Sequence, residues 1–258
     1  MTYLLRDTWT MTKRSTKHII RSLDTIITVV LMPIAIMLLF TFVLGGAIGT
    51  QTGGIDYIDF ITPGIIITTV LSGIAYAAVR LSMDLQEGII NRFRTMPVAP
   101  SSILWGQAVS STISNIVSSL IVLLVAFLIG FRSDAGLVEW LLFAGLLTLF
   151  TLATTWLALF FGLLAKTVEG AGAFSYVLLL LVFISPAFVP LESITPALRG
   201  FAQFQPMTPI IETMRSLLVE GVVGPSAGAA IIWSIGILIL FYIASLVVYR
   251  RRTITASQ

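Results

Sequence analysis

The sequence predicts an all-α integral membrane protein with six transmembrane helices. The first observation is composition: 57% of the 258 residues are hydrophobic and only 10% are charged, whereas a soluble domain carries about 25% charged residues. The second is that six long stretches contain no Asp, Glu, Lys or Arg. The third is that basic residues concentrate on alternate connections between these stretches. Together these observations argue against an ordinary soluble enzyme.

Each charge-free stretch is long enough to form one membrane-spanning helix. A helix needs roughly 20 apolar residues to cross the hydrocarbon core of a bilayer. We place the spans near 25–45, 60–82, 104–130, 139–164, 171–190 and 227–249. They make up a transmembrane domain over residues 25–250, followed by a short tail at 251–258.

The distribution of Lys and Arg predicts the orientation. With both chain ends inside, 12 basic residues fall on the inner side and 3 on the outer side, so the positive-inside rule puts both termini in the cytoplasm. Residues 1–24 read as an amphipathic helix lying on the membrane, because Leu5, Trp9 and Ile19 share one face while five cations occupy the adjacent face. A plain topology signal is the alternative interpretation of this segment.

The spans contain no clearly placed ionisable side chain, which argues against several classes of function. Proton coupling uses intramembrane ionisable groups, although backbone carbonyls at a broken helix leave a sodium-driven carrier open. His18 is the only histidine, so hydrolysis by a Ser–His pair or a bound metal lacks its side chains at depth. The sequence has no G-x-x-x-x-G-K-[ST] phosphate loop. We therefore expect no catalytic residue, no metal and no cofactor on this chain, and a transporter of this kind needs a partner that supplies energy.

The connection between the second and third predicted spans is unusually polar, and it reads "LQEGIINRFRTMPVAP". Leu85, Ile89, Phe93 and Met96 recur at helical spacing and line one face. Pro97 ends the helical pattern. The pattern predicts a short amphipathic helix on the inner side that could dock a cytoplasmic motor, and an ordinary polar loop is the alternative.

The stretch "EGIINRFRTMPVAPSSILWG" resembles the signature of type 2 ABC exporter permeases, the daunorubicin-resistance membrane-subunit kind. The positions that match the signature are Gly88, Arg92, Phe93, Arg94, Thr95, Met96 and Pro97. Asn91 departs from it, since an acidic residue is frequent there. The resemblance also covers the order of a basic N-terminal helix, six spans and a proline-rich outer segment.

The resemblance implies that residues 84–97 form a coupling helix against a cytoplasmic ABC ATPase. Glu87, Arg92 and Arg94 would then make polar contacts to the ATPase, Phe93 would be an apolar anchor, and Gly88 and Pro97 complete the coupling set. It further implies two copies of the ATPase, which hold the ATP and Mg²⁺. A second permease, identical or a paralogue, completes the assembly within the lipids of a bacterial plasma membrane. No nucleic acid is expected as a partner.

The resemblance also places the walls of a substrate path on the second and fifth spans. In the second span these are Thr69, Ser72 and Tyr76, and in the fifth they are Phe183 and Phe188. The third span carries a polar row of its own, Gln107, Ser111, Ser114 and Ser118. That row predicts either hydrogen bonds between helices or a lining of the path.

The outer segment, residues 191–225, is rich in proline. Pro209 to Gly221 reads as a short amphipathic helix, with proline near its start and glycine at its end. The resemblance implies a re-entrant cap, and a helix resting on the headgroups is the alternative.

The function implied by the resemblance is export of a hydrophobic drug, antibiotic or lipid-like substrate with ATP hydrolysed by a separate subunit. Export of polysaccharide or lipid-linked glycan by the same machinery is an alternative. A non-transporting membrane scaffold or sensor subunit is an alternative of another class.

Overall fold

A computed structural model describes residues 27–49, 54–86 and 100–255 of the protein, and the fold is given for these residues. Their regular secondary structure is all helical, with no strand among these residues. The helices are α1 (Ile27–Leu44, continued by Gly45–Ile48), α2 (Tyr57–Gln86), α3 (Pro100–Ile129), α4 (Leu137–Leu164), α5 (Val168–Ala171), α6 (Phe174–Phe183), α7 (Pro196–Phe204), α8 (Met207–Arg215) and α9 (Ala227–Thr255). A short 3-10 helix over Leu191–Ser193 precedes α7. The last turns of α8 continue as a π-helix over Ser216–Glu220.

Five of these helices are long and apolar enough to cross a bilayer, namely α1, α2, α3, α4 and α9. They coincide with five of the six spans expected from the charge-free stretches. The protein is therefore a multi-pass helical membrane protein. α9 continues past the predicted boundary to Thr255, so most of the predicted tail at 251–258 is helical. The predicted interfacial helix at 1–24 lies outside the described residues.

α2 is the central helix of the bundle. Its Ile61, Ile65, Ile66 and Ile67 are fully buried, and α2 packs against α1, α3, α4 and α6. A helix that is apolar on all sides is buried in this way. α1 and α9 expose most of their apolar surface instead, so they lie at the periphery of the described chain.

Small residues and aromatic rings fix the contacts of α4. Gly162 lies so close to α2 that a Cβ there would be 2.7 Å from the carbonyl oxygen of Ala78, and such small-residue contacts let membrane helices approach closely. On its other side, the ring of Trp156 packs edge-on against Trp105 of α3 and Tyr242 of α9, at centroid distances of 5.1 and 4.8 Å. α4 therefore packs closely against α2, α3 and α9.

The segment predicted as the fifth span is broken rather than one continuous helix. α5 and α6 are short, and α6 ends at Phe183 instead of continuing to residue 190. The reason is Pro186, which has no N–H to donate and disfavours helical angles at the residue before it. Ser185 then closes the end, since its backbone N–H and its hydroxyl both donate to the carbonyl of Val182.

The broken segment nevertheless follows α2 along its length. At the Gln86 end, the Gln86 side chain donates to the carbonyl of Lys166 at 3.4 Å. Further along, a Cβ on Gly172 would lie 3.2 Å from the side chain of Val79. At the opposite end, which we call the Tyr57 end, the Tyr57 hydroxyl donates to the carbonyl of Phe188 at 3.0 Å. Residues 166–188 thus run antiparallel to α2 from one end to the other.

α7 and α8 form a hairpin that packs into the bundle at the Tyr57 end. α8 and its π-helical extension are buried along most of their length, from Met207 to Leu218, against α2 and α9. This segment is therefore held by the other helices of the bundle. The helix begins two residues before the predicted start at Pro209, and it ends as predicted at Gly221, which adopts the left-handed conformation with φ 62°.

Candidate functional site

A small pocket lies between α1, α2 and α3. Tyr76 and Arg80 contribute from α2, and Gln107, Ser111 and Ser114 contribute from α3. Tyr76, predicted on the second span, therefore meets three members of the polar row predicted on the third span. The fourth member of the α3 row, Ser118, is buried one turn further along. Tyr76 is ten residues from Gln86, so the pocket lies about 15 Å inside that end of α2.

Sequence reasoning missed Gly73, Arg80 and Asn115, which all line this pocket. Asn115 lies on α3. Its side-chain N–H group donates to the carbonyl of Ser111 at 3.0 Å, which orients the amide. Its Oδ1 atom is buried and accepts no hydrogen bond within the described residues. Asn115 lies near the middle of the apolar stretch Leu104–Ile129, where an unpaired amide oxygen is costly. A search restricted to ionisable residues passes over asparagine.

Gly73 of α2 makes room for the Asn115 amide. A Cβ at position 73 would lie 1.7 Å from Asn115 Oδ1, so a side chain there is incompatible with this arrangement. Gly73 and Asn115 both line the pocket. The cavity volume is about 20 Å³, and a volume of this size holds one water or one hydroxyl group. The pocket as it stands therefore has no room for a drug-sized molecule.

Two residues predicted for the path on α2 lie outside this pocket. Thr69 is fully buried, and its hydroxyl donates to the carbonyl of Ile65 at 2.8 Å. The Ser72 hydroxyl donates to the carbonyl of Thr68 at 2.9 Å. Both hydroxyls are satisfied by their own helix, as Ser and Thr often are inside helices. Of the three polar residues proposed on the second span, Tyr76 is the one that lines the pocket.

The two phenylalanines predicted for the path lie together at the Tyr57 end. The ring of Phe188 is buried and stacks between Phe183, at a centroid distance of 5.1 Å, and Phe40 of α1, at 4.7 Å. Phe183 is 49% exposed. Offset stacking of this kind adds about 0.5–1.5 kcal/mol to each pair beyond burial. The stacked rings hold α1 against the C-terminal end of the broken segment. The exposed part of Phe183 leaves one face of its ring open.

Arg215 ties the hairpin to the rest of this end. Its guanidinium donates to the carbonyl of Phe60 at 3.1 Å and to that of Pro186, and it lies 3.8 Å above the ring of Phe60. Burial lowers the pKa of Arg215 to about 10, against the opposing effect of Glu212 and Glu220. The group therefore stays charged at neutral pH and binds α8, α2 and the broken segment together.

The residues predicted to contact an ATPase fall outside the described part of the chain. They are Glu87, Gly88, Arg92, Phe93, Arg94 and Pro97, within the interval from 87 to 99. The coupling helix predicted to begin at residue 84 overlaps α2, whose last turn runs to Gln86. The interval thus connects the Gln86 end of α2 to the start of α3, at the end of the bundle where Lys166 lies.

The fold and the pocket define a polytopic helical membrane protein with polar groups enclosed between its spans. Residues 6–219 match the family model described as ABC-2 type transporter. Because this match covers most of the chain, the protein belongs to the ABC-2 type transporter family, and it is a type 2 ABC permease.

Relatives with curated names agree with this assignment. The chain is 27% identical over 215 residues to the daunorubicin resistance ABC transporter permease protein DrrB1 of Streptomyces coeruleorubidus, covering 83% of this chain and 72% of that protein. It is 26% identical over 238 residues to the probable doxorubicin resistance ABC transporter permease protein DrrC of Mycobacterium tuberculosis, covering 90% of this chain and 83% of that protein. The resemblance stated from the sequence signature is confirmed.

Proposed function

We propose that this chain is the membrane permease subunit of an ATP-driven exporter that moves a hydrophobic drug, antibiotic or lipid-like substrate out of the cell. The observation that carries the proposal is the ABC-2 match over residues 6–219 on a chain with five bilayer-length apolar helices. ATP and Mg²⁺ bind to two copies of a separate cytoplasmic ATPase. A second permease, identical or a paralogue, completes the assembly.

We further propose six crossings with both termini in the cytoplasm. The broken segment supplies the sixth crossing, because its contacts follow α2 from Gln86 to Tyr57. The Gln86 end is then the inner end, which puts residues 84–97 in reach of a cytoplasmic partner. The hairpin of α7 and α8 is the outer re-entrant segment. The excess of basic residues on the inner side supports this orientation.

The absence of cysteine makes the topology directly testable. Single cysteines introduced at Asn91 and Lys166 should react with a membrane-impermeant maleimide only after the cells are opened. Cysteines at Ser133 and Ser193 should react in intact cells. Labelling of position 91 from outside would contradict the proposed orientation and, with it, the docking of an ATPase there.

The residues proposed for the substrate path lie at two levels. Tyr76 belongs to the pocket toward the inner end, and Phe183 presents its open ring face at the outer end. The hydroxyls of Thr69 and Ser72 donate to carbonyls of α2 itself. An apolar aromatic wall suits a lipophilic cargo. The two relatives named for daunorubicin and doxorubicin resistance support the same class of cargo.

The proposal is tested by reconstitution. The chain and its ATPase are placed in liposomes, and ATP-dependent movement of a fluorescent lipophilic drug such as doxorubicin is followed. Transport should require both proteins and ATP. Copurification of the two proteins without transport or substrate-stimulated ATP hydrolysis, across a panel of lipophilic drugs and lipids, would instead indicate a scaffold or sensor subunit.

A further inference from the structure

We propose that Gln205 joins α6 and α7 into one unit, which moves against α8 when the permease opens at the Tyr57 end. Gln205 is then a positioning residue, because it acts on the cargo only through the helices that it connects. This inference rests on the proposed export function and adds the elements that move during it.

The bond that joins the two helices follows from the break at Pro186. Proline has no N–H, so Pro186 cannot donate to the carbonyl of Val182 as it would in a continuous helix. The Ser185 N–H donates to Val182 instead, at 3.1 Å, and not to Leu181 four residues before it. The side-chain N–H group of Gln205, which directly follows α7, donates to that Leu181 carbonyl at 2.7 Å.

This bond lies within the membrane-spanning length of α2. The broken segment approaches α2 on both sides of Leu181 in the chain, at Gly172 and at Ala187, which lies against Gly64. Gln205 is only 4% exposed. Separating the two helices here would leave a carbonyl and an amide unpaired in hydrocarbon, which is costly. A joint movement of α6 and α7 keeps the bond and avoids that cost.

The backbone at Gln205 forms the tip of the hairpin. Gln205 is extended, with φ −68° and ψ 153°, as expected for a residue that precedes a proline. The Thr208 hydroxyl donates to the carbonyl of Ala202, which holds the last turn of α7 to the first turn of α8. The Gln205 Oε1 atom is buried and accepts no hydrogen bond from the described residues, so the donor is the half of this amide that the contacts use.

Burial distinguishes the elements that can move from those that are fixed. In α6 only Ser175 and Val182 are buried, and in α7 only Ala202 is buried, whereas α8 is buried almost throughout. Elements with few buried contacts open at the lowest free energy. An exporter releases cargo at its outer end, which is the Tyr57 end in the proposed orientation. We therefore expect α6 and α7 to move there, while α8 stays with α2 and α9.

The test measures distances between spin labels in the reconstituted complex with the ATPase. The chain has no cysteine, so pairs of cysteines introduced at exposed positions carry the labels, and unlabelled chain dilutes them to one labelled copy per complex. One pair joins α6 to α7, at Leu180 and Leu198, and the other joins α7 to α9, at Leu198 and Ile232. Double electron–electron resonance is recorded without nucleotide and after trapping with ATP and vanadate. The distance from Leu198 to Ile232 should change on trapping, and that from Leu180 to Leu198 should stay the same.

Variants assign the connection to Gln205. Gln205→Met keeps the length and removes the donor, so conformers with a longer distance from Leu180 to Leu198 should become roughly tenfold more populated. The amount of drug transported per ATP hydrolysed should fall in the same variant. Gln205→Ala serves the same purpose if the methionine variant does not fold. Gln205→His keeps an N–H donor at a similar reach and should restore both readouts.

The matched control is Thr213→Val. The Thr213 hydroxyl is also buried in the hairpin, but it is satisfied within α8 by the carbonyl of Pro209 at 2.6 Å. This variant therefore loses a buried hydrogen bond that joins no two helices. It should keep the distances and the transport per ATP of the unaltered chain.

Three results would overturn the inference. A change in the distance from Leu180 to Leu198 on trapping of the unaltered chain would show that α6 and α7 move separately. A fixed distance from Leu198 to Ile232 would show that α7 does not move. Unaltered distances in both the methionine and the alanine variants would show that Gln205 does not join the helices. The export function is read separately, from drug accumulation: accumulation with α7 fixed contradicts only this inference, and joint movement without accumulation contradicts only the exporter.

Discussion

Replacing Gly64 by alanine tests how the broken fifth segment packs against α2. A Cβ at position 64 would lie 2.8 Å from the Cβ of Ala187 and 3.0 Å from its carbonyl oxygen. Carbon atoms pack at about 3.5–4.0 Å, so one of the two segments must move by about 1 Å. The moving segment carries two hydrogen bonds next to Ala187, from Arg215 to the carbonyl of Pro186 and from Tyr57 to that of Phe188.

The expected cost follows from these contacts. Overpacking typically destabilises by about 1–3 kcal/mol, and each weakened hydrogen bond adds about 1 kcal/mol. Alanine regains about 1 kcal/mol over glycine through its helix propensity. The net loss for Gly64→Ala should therefore be about 2–4 kcal/mol. Gly145→Ala is the matched control, because nothing lies within 4 Å of a Cβ at position 145 of α4, and it should be neutral or slightly stabilising.

The assay is equilibrium unfolding of the purified proteins in the same detergent micelles, followed by tryptophan fluorescence. Adding Ala187→Gly to Gly64→Ala removes the 2.8 Å contact but leaves the carbonyl contact, so part of the lost stability should return. Equal stability of the Gly64→Ala and Gly145→Ala proteins would refute the close packing of the broken segment on α2, and the argument for a sixth crossing would lose its main support.

Three further predictions concern the coupling region and the Tyr57 end. Arg94→Glu should abolish both transport and stimulation of the partner ATPase while leaving membrane insertion unchanged, as measured in the reconstituted complex and by membrane fractionation; normal transport would remove the docking role of that residue. Tyr57→Phe deletes the bond to Phe188 and should cost about 1–2 kcal/mol in the detergent unfolding assay. Arg215→Met removes a buried charge with two carbonyl partners, so the free energy of unfolding should fall by about 3 kcal/mol or more. Arg215→Lys should cost less, because it keeps the charge. Equal losses of stability in the two variants would show that the charge at this position contributes nothing.

The spans were largely predictable because the physics that fixes them is simple. A stretch without charges long enough to cross hydrocarbon has few alternatives to a helix, so the fourth span was expected at 139–164 and is observed at Leu137–Leu164. The fifth span was predicted too long, since counting charges ignores the effect of Pro186 on the backbone. The sequence shows this proline, and the effect of proline on helices predicts that the helix ends near it.

The pocket was only partly predictable. Helical spacing put Gln107, Ser111 and Ser114 on one face, but spacing on a single helix cannot say which neighbour that face meets. Tyr76 was expected on a path for a different reason, the resemblance to a family. The contribution of Asn115 depends on Gly73 of another helix, and a contact between residues 42 positions apart follows from helix packing rather than from local pattern.

The central claim is that this permease has no energy source of its own and is driven from its inner side by an ATPase. The most direct measurement compares drug uptake into inside-out liposomes containing the chain alone, with imposed proton and sodium gradients, and liposomes containing the chain with its ATPase and ATP. The account predicts accumulation only in the second case, and loss of accumulation when ATP is replaced by a non-hydrolysable analogue. Gradient-driven accumulation by the chain alone would contradict it.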